Sequence, residues 1–360
     1  MAVYGRNKEK WDPTKPKAKG TKNRTYQLKK SSSLGGTFSS DGKLFFYMGV
    51  QSIDGTSLIG SKRANGDSSN ELIVDMPMSI EGDYTPDIIN IEPTKFETKA
   101  LHFNKDGSSN RSYIQPTATD TSNFSMQDLL NHGSGRKDTY ISFWLKLDEQ
   151  DWSTSNGQTF GGLYRGVDPS SNPSTEDDDF DVLQPAMLFA TSTTGGLEVK
   201  VYDSDTTDTN EGDGDGWSET FIRYTTPTGD DDFVIRPNEW VHVTVLFREL
   251  EEFKNDVDPS VTDILNCCSI FFNGQILNVT TDIVSGVMDE LTVLDTAQLE
   301  VRIGNTARSF EAGGDTTVTS DLGFDGAIGE FLIVSQDTVT EDARVGFAKF
   351  LYEAQTEGAY

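Results

Sequence analysis

Apolar and polar residues alternate with a period of two along several stretches of strand length. In Tyr140-Ile-Ser-Phe-Trp-Leu-Lys-Leu147, Ile141, Phe143, Leu145 and Leu147 fall on one face, and Tyr140, Ser142, Trp144 and Lys146 on the other. Asn238–Phe247 repeats the pattern, with Val241, Val243, Val245 and Phe247 set against Trp240, His242, Thr244 and Leu246. The first face of each stretch suits a core between two sheets. Further strands are predicted at Lys43–Val50, Glu71–Met78, Asp87–Ile91, Ala100–Phe103, Ser112–Ile114, Pro185–Ala190, Leu197–Tyr202, Ser269–Ile276, Leu299–Ile303 and Phe324–Val334. Pro77 cannot donate to a ladder, which puts the end of its stretch at a sheet edge.

Turn chemistry punctuates these runs. Asn273-Gly274 between two apolar runs predicts a type I′ hairpin, which needs positive φ at both central residues. Thr194-Gly195-Gly196 supplies another turn. From Thr340 the period changes. Thr340 can cap a helix, Glu341 and Asp342 suit its positive end, and Val345, Phe347, Phe350 and Leu351 share roughly one side. Polar insertions at about 161–181, 203–220 and 249–265 exceed the ~12–15 residues of ordinary loops. The 360-residue chain is 35% hydrophobic and rich in Gly, Ser, Thr, Asp and Asn, which fits short strands joined by polar loops. Three segments follow: a basic extended anchoring arm at 1–36, a small β-rich docking segment at 37–98, and the main sandwich at 99–360.

Charge separates the first of these from the rest. Ten of the 30 Lys and Arg but two of the 58 Asp and Glu lie in residues 1–30, a net of +8 that leaves −36 for the remainder. An acidic body repels nucleic acid, so nucleic acid is not an expected partner. The leader has too few apolar side chains to order itself, and a partner is what would order it. Arg6, Lys8 and Lys10 supply charge for docking, and Trp11, Tyr26, Phe45 and Phe46 supply large anchors. The alternative for such a tail is plain solvation. Met1–Lys10 is charged and lacks the apolar stretch of a secretory signal, so synthesis in a cytoplasm is expected. No apolar run approaches the ~20 residues of a membrane span.

Candidate chemistry is sparse. Glu211-Gly-Asp-Gly-Asp-Gly216 offers closely spaced hard oxygens from Glu211, Asp213 and Asp215, which suits Ca²⁺; position twelve from Glu211 is Ile222, so no EF-hand is completed, and a solvated acidic loop is the other reading. Trp152 and Trp217 lie beside polar loops, where an exposed aromatic stacks on a sugar; the alternative is that each caps the core. Asp148-Glu-Gln-Asp151 is the nearest approach to the paired carboxylates of a glycosidase and does not align a pair on one strand face. His242 sits on a strand and reads as a packed side chain rather than a general base. Cys267 and Cys268 are neighbours, read as reduced and partly buried. No enzymatic activity is expected.

The order of the segments 140–147, 238–247, 269–276 and 324–333 resembles the laminin-G-like, concanavalin-A-like family. So do the run Ala100-Leu-His-Phe103, Asp106-Gly107 and Ser112-Tyr-Ile114, which is similar to the family's opening strand pair, the turn at Gly304-Asn305, and a helix after the last strand. The resemblance covers about residues 99–352. It implies an all-β fold, an antiparallel β-sandwich of jelly-roll type with a short C-terminal helix. Such domains recur in the structural proteins of tailed bacteriophages. The expectation is therefore a non-enzymatic virion component, in a tail or fibre or as a capsid decoration. Its expected partners are other virion proteins and further copies of itself. The alternative is a lectin that binds a host surface glycan, and behind it a polysaccharide-cleaving enzyme.

Overall fold

A computed structural model of the chain describes residues 43–82 except 65–72, then 84–94, 98–104, 112–116, 124–130, 138–148, 158–166, 183–192, 195–202, 221–227, 235–248, 261–284, 298–304, 324–336 and 340–356. The strands run in chain order β1 Lys43–Met48, β2 Ser52–Asp54, β3 Ser57–Ile59, β4 Lys62–Ala64, β5 Ile73–Asp75, β6 Met78–Gly82 and β7 Asp87–Asn90. There follow β8 Lys99–Phe103, β9 Ser112–Pro116, β10 Asp138–Leu147, β11 Thr159–Gly166, β12 Leu183–Thr191, β13 Leu197–Tyr202 and β14 Phe221–Thr225. The last are β15 Trp240–Phe247, β16 Cys268–Phe272, β17 Gln275–Leu277, β18 Thr280–Val284, β19 Leu299–Gly304 and β20 Gly326–Gln336. Three helices are described: α1 Met126–Leu130, α2 Val261–Cys267 and α3 Glu341–Thr356.

Two antiparallel sheets form a β-sandwich. Sheet A runs β17-β16-β15-β10-β20-β1-β4-β5, with β7 and β8 joined to β20; sheet B runs β18-β14-β13-β12-β11-β19-β9-β6-β3-β2. Between them lies one continuous apolar core. Ile141, Phe143, Leu145 and Leu147 enter it from β10, and Val241, Val243, Val245 and Phe247 from β15, as alternation predicts. Its centre is aromatic: the Phe143 ring stacks on Phe331 at 5.4 Å and meets Phe160 and Phe189 at 5.6 Å each. The Asn273-Gly274 hairpin forms with φ of 49° and 77°, joining β16 to β17.

The outer face of sheet A is covered by α3. Phe347, Ala348 and Leu351 pack on Tyr47, Tyr140, Leu246, Phe271 and Leu332. Thr340 Oγ1 accepts from the Ala343 amide at 3.2 Å, the cap that the sequence predicts.

Three expectations change in the fold. β8 and β9 do not pair with each other: β8 joins β20 and β7 in sheet A, and β9 joins β19 and β6 in sheet B. Glu71–Met78 is not one strand, because the chain crosses from β5 in sheet A to β6 in sheet B around Met76-Pro77. Within the stretch predicted as an insertion at 161–181, residues 161–166 belong to β11. The strands of residues 43–90 lie in both sheets, and β1 pairs with β20 on one side and β4 on the other. β20 is shared along its length: residues 326–329 pair with β8 and 331–335 with β1. Glu330, at the changeover, holds a φ of 54° and accepts a 2.7 Å hydrogen bond from Tyr47 Oη.

Candidate binding face

With α3 on sheet A, the outer face of sheet B is where the sandwich gathers its outward polar side chains. On β13, Leu197, Val199 and Val201 enter the core, so alternation turns Glu198, Lys200 and Tyr202 outward. By the same rule β14 presents Phe221 and Arg223, β19 presents Glu300 and Arg302, and β9 presents Tyr113 and Gln115. Strand register then aligns these residues across the sheet. Gly162 faces Arg302 on one side and Leu188 on the other; Leu188 faces Lys200, Lys200 faces Arg223, and Arg223 faces Asp282.

Charges along this row are matched locally. Arg223 donates to Asp282 through Nε at 3.0 Å and a second nitrogen at 2.5 Å, and this hydrogen bonding raises the Arg223 pKa. Glu198 lies 3.3 Å from Lys200 Nζ and 3.7 Å from Arg223. Lys200 sits over the Phe221 ring at 5.5 Å. The Arg302 guanidinium lies 5.1 Å from the Tyr113 ring centre and 5.6 Å from that of Tyr164. Gly162 makes room for this packing. A Cβ there would stand 2.6 Å from Leu188 Cδ2, 2.7 Å from the Met187 carbonyl and 3.0 Å from the Tyr164 ring. Tyr164, Leu188, Tyr202 and Phe221 form a small buried apolar cluster on the same face.

A second polar group lies on the outer face of sheet A. His242 Nε2 and Ser142 Oγ are 2.9 Å apart, Thr244 Oγ1 donates to Ser142 Oγ at 3.5 Å, and the Trp144 ring meets His242 edge-on at 5.1 Å. A Ser–His contact is the geometry of an activated nucleophile, but Ser142 is 1% exposed and His242 0%. A substrate cannot reach either, and the histidine is packed, as the sequence suggests. Among the described residues no group of three His, Cys, Asp or Glu side chains is placed to hold a metal ion.

Most of the predicted site residues, Arg6, Lys8, Lys10, Trp11, Tyr26, Trp152, Glu211, Asp213, Asp215 and Trp217, lie outside the described residues. Phe45 and Phe46 require a correction. Expected to meet a partner, they are 3% and 0% exposed and belong to this chain's own core. The cause is that β1 is inserted between β20 and β4 rather than standing apart. The polar face of sheet B was missed for a different reason. Alternation in Leu197–Tyr202 and Leu299–Ile303 does mark Glu198, Lys200, Glu300 and Arg302 as outward, but nothing local reveals that β19 lies between β9 and β11.

No protein-family model matches the chain, and no curated protein does. Among solved structures it is similar to the binding domain of botulinum neurotoxin serotype D, at 12% identity and a TM-score of 0.36 over 83% of this chain and 52% of that one. The serotype G binding domain is similar at 10% identity and 0.39, over 86% and 50%. The binding domain of neurotoxin DC, solved in complex with rat synaptotagmin II, is similar at 11% identity and 0.37, over 84% and 52%. The chain thus spans about half the length of these structures. The likeness is slight, and the sandwich stands on its own strand pairing.

Proposed function

We propose that this chain is a non-enzymatic structural protein of a virion, a tail or fibre component or a capsid decoration, held by its basic leader and projecting a sandwich of laminin-G-like type. The observation that carries the reading is the division of charge: +8 over residues 1–30 against −36 over the rest. A cationic leader on an anionic body is drawn to an acidic partner surface while the body is kept off it. The attachment is mechanically sound. The chain enters the described fold at β1, which is hydrogen-bonded on both sides, to β20 and to β4. Load on the leader therefore falls on a strand inside a sheet and not on an edge. Ordering of Arg6, Lys8, Lys10, Trp11 and Tyr26 on the partner would cost conformational entropy, offset by ion pairing and aromatic burial.

Two measurements test the proposal. Mass spectrometry of purified particles should find the chain at stoichiometric copy number, and its absence there rules out the virion role. Deletion of residues 1–36 should leave a folded β-protein that no longer joins the particle. Normal incorporation of the truncated chain would overturn the part assigned to the leader.

A further inference from the structure

β17 and β18 close the two sheets on the same side of the sandwich. β17 ends sheet A, β18 ends sheet B, and only Asn278-Val279 separates them in the chain. Natural edge strands are blunted by being short, by Lys or Pro, or by a bulge. The other terminal strands, β2, β5 and β17, have three residues each, whereas β18 has five. Its sequence, Thr280-Thr-Asp-Ile-Val284, holds neither Lys nor Pro, and its register with β14 runs from Thr280 to Val284 without a shift. Its one charge, Asp282, is engaged by Arg223. Thr280, Thr281, Asp282 and Ile283 are all exposed, Ile283 at 41%, with Ile276 of β17 at 45%. Among the described residues no strand pairs with the outer edge of β18. Such an edge is a template for one more strand.

Charge and pattern identify the strand that fits it. Residues 249–263, which lead into α2, carry Glu249, Glu251, Glu252, Asp256, Asp258 and Asp263 against Lys254 alone. α2 in turn packs against β18. Residues 285–297, which follow β18, carry Asp289, Glu290 and Asp295 and no Lys or Arg. The complementary occupant is cationic, and the leader is the strongly cationic part of this chain. Within it Arg24-Thr-Tyr-Gln-Leu-Lys-Lys30 alternates between basic ends, with Tyr26 and Leu28 falling on one face of a strand and Thr25 and Gln27 on the other. A leader that stays with its own body starts from β1 and meets α3 on the way. That helix packs on Tyr47 of β1, Leu332 of β20, Tyr140 of β10, Leu246 of β15 and Phe271 of β16, the strands that separate β1 from β17. A second copy offers its β18 edge without that obstacle.

We propose that residues 24–30 of one copy add to β18 of a second copy as an antiparallel strand. Tyr26 lies opposite Ile283 and Leu28 opposite Thr281, which continues the cross-strand row that Ile222 and Ile283 begin. Arg24, Lys29 and Lys30 bring charge to the acidic flanks. The leader and the edge are different surfaces, so the contact is head-to-tail and builds rings or open chains rather than closed pairs. It concerns copies of this chain alone and stands whether or not the chain joins a virion.

The test is sedimentation of the full chain at about 1 to 100 µM, in about 50 and about 500 mM NaCl. Species larger than a dimer should grow with concentration at low salt and recede at high salt. Ile283→Lys, at an exposed position, should weaken association about tenfold or more with thermal unfolding unchanged, and so should Tyr26→Ser combined with Leu28→Ser in the leader. In a mixture, a short bismaleimide should join a Tyr26→Cys chain to an Ile283→Cys chain, since Cys267 and Cys268 are buried. Three results overturn the contact. The first is a full chain that stays monomeric throughout. The second is association that survives Tyr26→Ser with Leu28→Ser, which would mean that edge pairs with edge. The third is a chain carrying both Tyr26→Cys and Ile283→Cys that cross-links within itself while the mixture yields no product, which would mean that the leader serves its own body. The cross-link decides the matter should Ile283→Lys disturb the sheet.

Discussion

Tyr224 shows how a single side chain ties sheet B to α2. It is fully buried, and its hydroxyl donates to the Ile264 carbonyl of α2 and lies 3.9 Å from Cys267 Sγ. Both cysteines are free thiols. Burial pushes the Cys267 thiol from about 9 to about 12 and raises Cys268 and Tyr224 well above their usual values. All three groups are neutral in the folded chain at neutral pH. The unfolded chain releases the thiol protons above pH about 9, where the folded chain still holds them. Stability therefore falls as pH rises from about 9 towards 12, by about 1 kcal/mol per pH unit for each buried thiol. Equilibrium unfolding between pH 7 and 11 should show this alkaline loss, and the double variant Cys267→Ala, Cys268→Ala should reduce it, leaving the share that Tyr224 adds above pH about 10. Alkylation at pH 8 should label neither thiol in the native chain and both in denaturant. Rapid native labelling would contradict the burial.

At the scale of elements, α3 is the piece whose existence was most legible and whose docking was least so. Thr340, Glu341, Asp342 and the apolar positions Val345, Phe347, Phe350 and Leu351 announce a helix by capping, dipole and period. Its seat is fixed by contacts that span the chain. Arg344 donates to both oxygens of Asp138, 206 residues away, at 2.8 and 3.3 Å, and Trp144 Nε1 donates to Gln355 Oε1. The Phe347 ring meets Tyr140 edge-on at 4.6 Å. Asp138 is 2% exposed and Arg344 17% by side chain, so removing one partner leaves a buried charge. Arg344→Met should cost about 3 kcal/mol, and the pair Asp138→Leu, Arg344→Met should recover most of that loss. Thr340→Ala should cost about 1 kcal/mol. Chemical denaturation of the four chains settles both. A double variant no more stable than Arg344→Met would mean that the helix is held by its apolar face alone.

For the molecule as a whole, alternation made the two-layer architecture legible, because Ile141, Val243 and their neighbours can satisfy period two only by facing another sheet. What stayed hidden was pairing between distant strands. β11 escaped notice since the segment from residue 161 was assigned to a polar insertion, whereas its backbone is sandwiched between β12 and β19. The strands of residues 43–90 lie in both sheets, a placement that short local runs do not announce. Phe45, Phe46, Met48, Met76, Met78 and Ile80 all enter the common core. Burying each such side chain stabilises by about 1.5–3 kcal/mol, and together they rival the roughly 5–15 kcal/mol that holds a whole domain. A chain of residues 43–360 should therefore unfold in one cooperative transition close to that of the full protein. A chain of residues 99–360 should fail to fold, because β20 loses β1 along residues 331–335 and β9 loses β6. Differential scanning calorimetry of the two truncations separates the cases. A cooperative transition of 99–360 within a few degrees of 43–360 would show that the strands of residues 43–90 merely decorate a self-sufficient sandwich.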